Sequence, residues 1–124
     1  MVQLYDPEQM LPLTPLSLGV LLALAQGPRH GYALLKELDR QSGGRLNPGT
    51  GTLYAALQRM IDERLLVEAK RPAGEDARRR YYEVTDLGRD VARAELARLA
   101  RLMEAEGAQA LLPELRVGWR GRSS

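Results

Sequence analysis

Apolar positions along this 124-residue chain recur first at helical spacing, then in alternation, then at helical spacing again. The first 13 residues, interrupted by Pro7 and Pro12, read as an arm. Thr14-Pro15 then supplies an N-cap followed by proline at the first helical position, where a missing N–H is harmless. The helix is expected to run to about Gln26, where Gly27-Pro28 stops it. Leu16, Val20 and Leu24 lie on one side of it, and Leu18, Leu21 and Leu22 on the other. A helix apolar all round is buried all round, so a second chain is expected to cover its outer side.

A second helix begins around Arg29-His30-Gly31-Tyr32 and carries Leu34, Leu35 and Leu38 at helical spacing. It should end near Ser42, with Gly43-Gly44 as its cap. Arg45-Leu46-Asn47 is short and extended, and Pro48-Gly49-Thr50-Gly51 turns. The third helix spans about Thr52 to Arg64, with Leu53, Leu57, Met60 and Ile61 inward and Ala56 beside them.

From Leu66 the period drops to two. Leu66 to Arg71 reads as a strand with Val67 and Ala69 opposite Glu68 and Lys70. Arg80 to Thr85 reads as its partner, with Tyr82 and Val84 opposite Tyr81 and Glu83. Pro72 to Arg79, between them, is too long and polar for a tight hairpin and forms a β-loop with a basic exit. Thr85 caps a last long helix, with Asp86 in its first turn where negative charge suits the dipole. Ala92, Leu96, Leu99 and Met103 form a seam along it, widened by Val91 and Leu102. The helix is expected to bend or end at Gly107, or to extend through Ala108 to Leu112 until Pro113.

Three helices, a β-loop and a fourth helix make a mainly α chain with a small β-hairpin. That is the order of a winged helix-turn-helix with an appended helix. The expected division is an arm (1–13), a DNA-binding domain (14–85), a C-terminal dimerisation helix (86–113) and a loose basic tail (114–124).

Composition narrows the class. Apolar residues make up 44% and charged residues 27%, ordinary for a soluble globular chain, and Leu and Ala in place of Phe favour helices. The absence of cysteine excludes disulfides and thiolate metal sites and fits a reducing cytoplasm. No apolar run reaches the roughly 18 residues of a spanning helix. The first residues carry acids and no Lys or Arg, which argues against a secretory signal, so a cytoplasmic protein without a membrane partner is expected.

The net charge is only +2, but residues 45–84 hold eight basic against six acidic groups and residues 114–124 hold three against one. A local basic excess says more about nucleic-acid binding than the total does.

The second helix of a helix-turn-helix enters the major groove. Here that helix turns Thr52, Ala55, Gln58 and Arg59 outward near its start, with Tyr54 at the flank. Hydroxyls reach phosphates or bases, an amide pairs with adenine edges, and a guanidinium pairs with guanine or phosphate. An ordinary polar surface helix has the same pattern. Lys70, Arg71, Arg78, Arg79 and Arg80 converge on the hairpin, where they suit the phosphates flanking a minor groove, although a solvated loop also carries such charge. His30 is the sole histidine, so no His-rich metal site or nucleophilic triad is expected; it is read as capping or packing the second helix, and Tyr32 as core. Catalysis has no candidate, and neither enzyme activity nor a cofactor is expected.

Several short motifs then fall in order: His30-Gly31-Tyr32, Gly51-Thr52-Leu53-Tyr54, Ala56-Leu57-x-Arg59-Met60, and Arg78-Arg79-Arg80-Tyr81-Tyr82-Glu83-Val84-Thr85-x-x-Gly88-Arg89. Over residues 14–106 the chain resembles the PadR family, and in its short C-terminal part the PadR-like subfamily with one long last helix. The resemblance implies a dimeric repressor whose first and last helices form the dimer interface, here through Leu18, Leu22, Leu96, Leu99 and Met103. It implies that Thr52, Tyr54, Gln58 and Arg59 meet the major groove of double-stranded DNA, and that Arg78 to Arg80 serve the wing. It also implies, for some members, release from DNA by a small-molecule effector; no aromatic-rich pocket is visible along the last helix, and Trp119 lies beyond it. The competing function is a winged-helix protein–protein module with its basic wing facing an acidic partner.

Overall fold

The computed structural model describes residues 6–112 and residue 114. Helix α1 (Pro15–Leu24) starts where Thr14 Oγ1 accepts the Ser17 N–H at 3.1 Å, with Pro15 in the first turn. It ends two residues earlier than its apolar run suggests, and the chain leaves through Gly27 at φ +149°, which favours glycine. A two-residue strand, β1 (Arg29–His30), leads into α2 (Gly31–Gln41). That helix stops on Gly43 and Gly44, both at positive φ, with the Gly44 N–H returning to the Asp39 carbonyl at 2.8 Å. Helix α3 (Thr50–Asp62) buries Leu53, Ala56, Leu57 and Met60, as its spacing predicts, and begins two residues earlier than expected.

Strands β2 (Leu66–Ala69) and β3 (Tyr81–Val84) are antiparallel and shorter than the alternating pattern suggests; Leu66 faces Val84 and Glu68 faces Tyr82. The sheet order is β1-β3-β2, because Arg29 and His30 pair with Tyr82 and Tyr81 on the free edge of β3. Two paired residues are too few to leave a periodic signal, so nothing in the hydrophobic pattern announces β1.

Thr85 ties the wing to the last long helix. Its N–H donates to the Leu65 carbonyl at 3.0 Å, its hydroxyl donates to the Arg64 carbonyl at 2.7 Å, and Oγ1 accepts the Gly88 N–H at 3.0 Å to cap α4 (Asp86–Met103). The core lies between α1, α2 and α3 on one side and the inner face of β3 with Val91 and Ala92 of α4 on the other. Tyr82 and Val84 point into it.

Three expectations are corrected. The N-terminal segment is not a free arm: Pro7–Met10 forms a 3₁₀ helix packed on α4, and Met10, Leu11 and Leu13 lie against the core. The anchor is Glu95, 1% exposed, whose carboxylate accepts the Leu13 N–H. The last helix is not continuous either. It breaks at Glu104–Ala105, ahead of Gly107, and a short α5 (Glu106–Leu111) follows. Ala105 takes an extended conformation, and the Gln109 amide donates to the Met103 carbonyl at 2.6 Å, which satisfies an oxygen the break sets free. Tyr32 is not core but 62% exposed, because α2 turns Leu34 and Leu38 inward instead. Leu18 and Leu22 of α1 are only half-buried within one chain, which leaves open the outer side that a second chain was expected to cover. The expected basic tail beyond residue 114, with Trp119, lies outside the described residues.

Candidate nucleic-acid interface

The start of α3, the start of α2 and the exit of the wing meet in one cleft. Tyr54, Tyr32, His30, Gly31 and Arg78 to Arg80 line it, enclosing about 230 Å³. The Tyr54 ring lies directly against Gly31, where an added Cβ would stand 2.2 Å from its hydroxyl and push the ring aside. Tyr32 stacks parallel to His30 with centroids 6.5 Å apart and carries Lys36 Nζ 5.3 Å from its ring centre.

His30 is the hinge of this arrangement. Its Nδ1 accepts the Ala33 N–H at 3.2 Å, capping α2 as expected, and its Nε2 lies 2.9 Å from Arg79 Nη1. Its ring meets Tyr81 edge-on at 5.2 Å. Burial, then the neighbouring Arg79 charge, hold the imidazole below its ordinary pKa, with Glu75 opposing.

The wing arginines each face an acid. Arg78 forks onto Asp76 at 3.2 and 3.0 Å, Arg80 onto Glu68 at 3.4 and 3.0 Å, and Arg79 lies 3.9 Å from Glu75. The hydrogen bonds from Arg80 and Arg78 pull Glu68 and Asp76 below the usual carboxylate range. Glu75 also accepts the Tyr81 hydroxyl at 2.7 Å, which raises the Tyr81 pKa. Arg71 donates to the Ala77 carbonyl at 3.4 Å across the loop, and Lys70 is exposed.

The remaining residues expected at DNA lie elsewhere on α3. Gln58 and Thr52 are exposed, and Gln58 donates to Asp62 at 3.1 Å. Arg59 sits on the flank opposite Tyr54, donating to Ser17 Oγ at 3.2 Å and lying 3.5 Å from Glu63. The structure thus joins Tyr54 to Arg78, Arg79 and Arg80 but places Arg59 against the start of α1. His30, Gly31 and Tyr32 are cleft residues that their sequence pattern did not assign to the interface. Their motif was visible, but its meeting with the wing depends on the β1–β3 pairing.

On another face, Leu22 of α1 and Leu96 of α4 line one groove with Ala92 and Val84. Leu96 is 44% exposed, Leu99 and Met103 are half-buried, and Leu18 lines an adjoining apolar cavity of about 420 Å³ with Pro15, Leu22 and Leu46. Among the described residues no group of acids and histidine could hold a metal ion, and no helix is long and apolar enough to cross a membrane.

Comparison with known proteins agrees with this architecture. The structure of RosR from H. salinarum superposes with a TM-score of 0.65 at 22% identity, over 93% of this chain and 99% of that one. A PadR-like transcription factor from Bacteroides fragilis gives 0.61 at 26% identity, over 72% and 84%. PadR from Bacillus subtilis, solved in complex with operator DNA, gives 0.58 at 20% identity, over 67% and 47%. In sequence, the chain is 42% identical over 83 residues to an uncharacterised 37.1 kDa protein of transposon TN4556 from Streptomyces fradiae; the match takes in 67% of this chain and spans 22% of that protein's length. Residues 20–94 match the transcriptional regulator PadR-like family model, and with its winged-helix fold the chain belongs to that family of transcription regulators.

Proposed function

We propose that the protein is a homodimeric repressor that binds a pseudo-palindromic operator, with the start of α3 in the major groove and the wing on flanking phosphates. The single observation that carries this reading is the shared cleft, in which Tyr54 of α3 stands beside Arg78, Arg79 and Arg80 of the wing. Thr52 and Gln58 supply further contacts from α3, Arg59 phosphate contacts from its flank, and Lys70 and Arg71 the far side of the wing. The operator complex of the B. subtilis PadR supports the same use of the fold.

Dimerisation is assigned to Leu18, Leu22, Leu96, Leu99 and Met103. Leu22 and Leu96 already share a groove that one chain leaves open. A two-fold dimer reads half-sites one or two helical turns apart. Release by a small molecule draws support from the apolar cavity beside Leu18 and Leu22, which has the size of small-ligand sites.

The test is an anisotropy titration of duplex from the promoter beside the gene, with Thr52→Ala/Gln58→Ala as the comparison variant. Specific binding that this variant weakens supports the proposal. A variant that keeps full regulatory function while binding a protein partner supports the protein–protein module instead.

A further inference from the structure

His30 Nδ1 accepts a backbone N–H from Ala33, so that nitrogen presents its lone pair. A neutral imidazole carries one hydrogen, which must then sit on Nε2. Arg79 Nη1 lies 2.9 Å from this same Nε2, and a guanidinium has donors only. Two N–H groups therefore converge with no acceptor between them. Such a pair is satisfied when one anionic oxygen takes both hydrogens.

The surroundings suit that oxygen. Arg78 and Arg80 line the same cleft, as do Tyr32 and Tyr54. The nearest carboxylate is Glu75, which lies 3.9 Å from Arg79 Nη1 and is engaged by the Tyr81 hydroxyl. The cleft opens beside the first turn of α3, where a strand of duplex would pass under the proposed docking.

We propose that His30 Nε2–H and Arg79 Nη1–H form a two-donor seat for one backbone phosphate of duplex DNA in each half-site. The assignment rests on the DNA-binding reading above and adds His30, a neutral donor, to the interface. Burial and the Arg79 charge both favour the neutral imidazole that this hydrogen placement requires.

His30→Asn is the informative variant, because asparagine still caps a helix but is too short to reach the seat. It should weaken operator binding about tenfold, as expected for one charge-assisted hydrogen bond, without changing the slope of log K against log salt. Arg79→Gln should weaken binding and also flatten that slope by about 0.9, the effect of one lost phosphate neutralisation. A neutral methylphosphonate scanned along the duplex should weaken the wild type at one position per half-site, cost His30→Asn less there because only the Arg79 contact remains to be lost, and cost the His30→Asn/Arg79→Gln double variant nothing further.

Operator binding by His30→Asn within twofold of wild type overturns the seat. So does an imidazole ¹⁵N spectrum of the wild-type protein that places the hydrogen on Nδ1, a readout independent of any variant's folding. Wild-type protein that binds no duplex overturns the DNA-binding reading itself. In that case, inorganic phosphate that perturbs the His30 resonances would identify a free phosphorylated ligand as the occupant and overturn the duplex assignment.

Discussion

The Leu13 backbone N–H donates to Glu95 Oε2 at 2.9 Å, across 82 positions of the chain, and Arg98 closes the other side of the same carboxylate at 2.6 and 3.0 Å. One buried acid thus straps the N-terminal segment to α4. Glu95→Ala leaves both donors without their acceptor and should cost about 2–3 kcal/mol in urea unfolding. Glu95 is held below its usual carboxylate range, first by the Arg98 hydrogen bond and then by the Leu13 amide against the cost of burial. The unfolded chain therefore binds this proton at higher pH than the folded one. The stability it contributes is present above the ordinary glutamate pKa of about 4.3 and is lost as pH falls through the lower folded value. Stability of Glu95→Gln measured against pH should lack that component.

Gly88 admits no side chain. A Cβ there would stand 2.3 Å from the Leu65 carbonyl oxygen and 2.6 Å from Val84 Cγ2, at the joint between wing and α4. Backbone cannot yield as a flexible side chain does, so Gly88→Ala should destabilise by about 3 kcal/mol in thermal or urea unfolding. A loss below about 0.5 kcal/mol would show that this joint is looser than described.

The wing acids occupy the cations that DNA would use. Glu68→Gln removes the carboxylate from Arg80 and should tighten operator binding several-fold at low salt, while Arg80→Gln should weaken it and flatten the salt slope by about 0.9. Unchanged binding in both variants would take Arg80 out of the interface.

Leu96 is 44% exposed in one chain and shares its groove with Leu22. Leu96→Arg should therefore leave the monomer folded while shifting sedimentation from dimer to monomer. Operator affinity should fall by at least about tenfold, because the two half-sites are no longer bound together.

Much of this was legible in the chain because local chemistry decided it. Thr14-Pro15 starts α1 and Thr85 caps α4 through partners a few residues away, and Leu53, Leu57 and Met60 mark the buried side of α3 by their spacing alone. What escaped depended on distant partners. Strand β1 exists because Arg29 meets Tyr82, and the N-terminal segment docks because Leu13 meets Glu95. Glu95 had a signal in retrospect: an acid beside the apolar seam, three residues before Arg98. Tyr32 is not legible from its position, because an aromatic at a helix start suits either face; in the fold it lies exposed beside the wing arginines. The cleft was half visible, since its cations were evident while the histidine that stands beside one of them was not.

The central claim is sequence-specific DNA binding by α3 and the wing, and the direct measurement is affinity for the neighbouring promoter against random duplex over a range of salt. The expected result is dimeric binding to a two-fold site at least about 10³ tighter than to random sequence. A log–log salt slope of about −0.9 for each phosphate neutralised should accompany it, reduced in Arg79→Gln and Arg80→Gln. Equal affinity for promoter and random duplex, or a salt slope unchanged by removing both arginines, would contradict it.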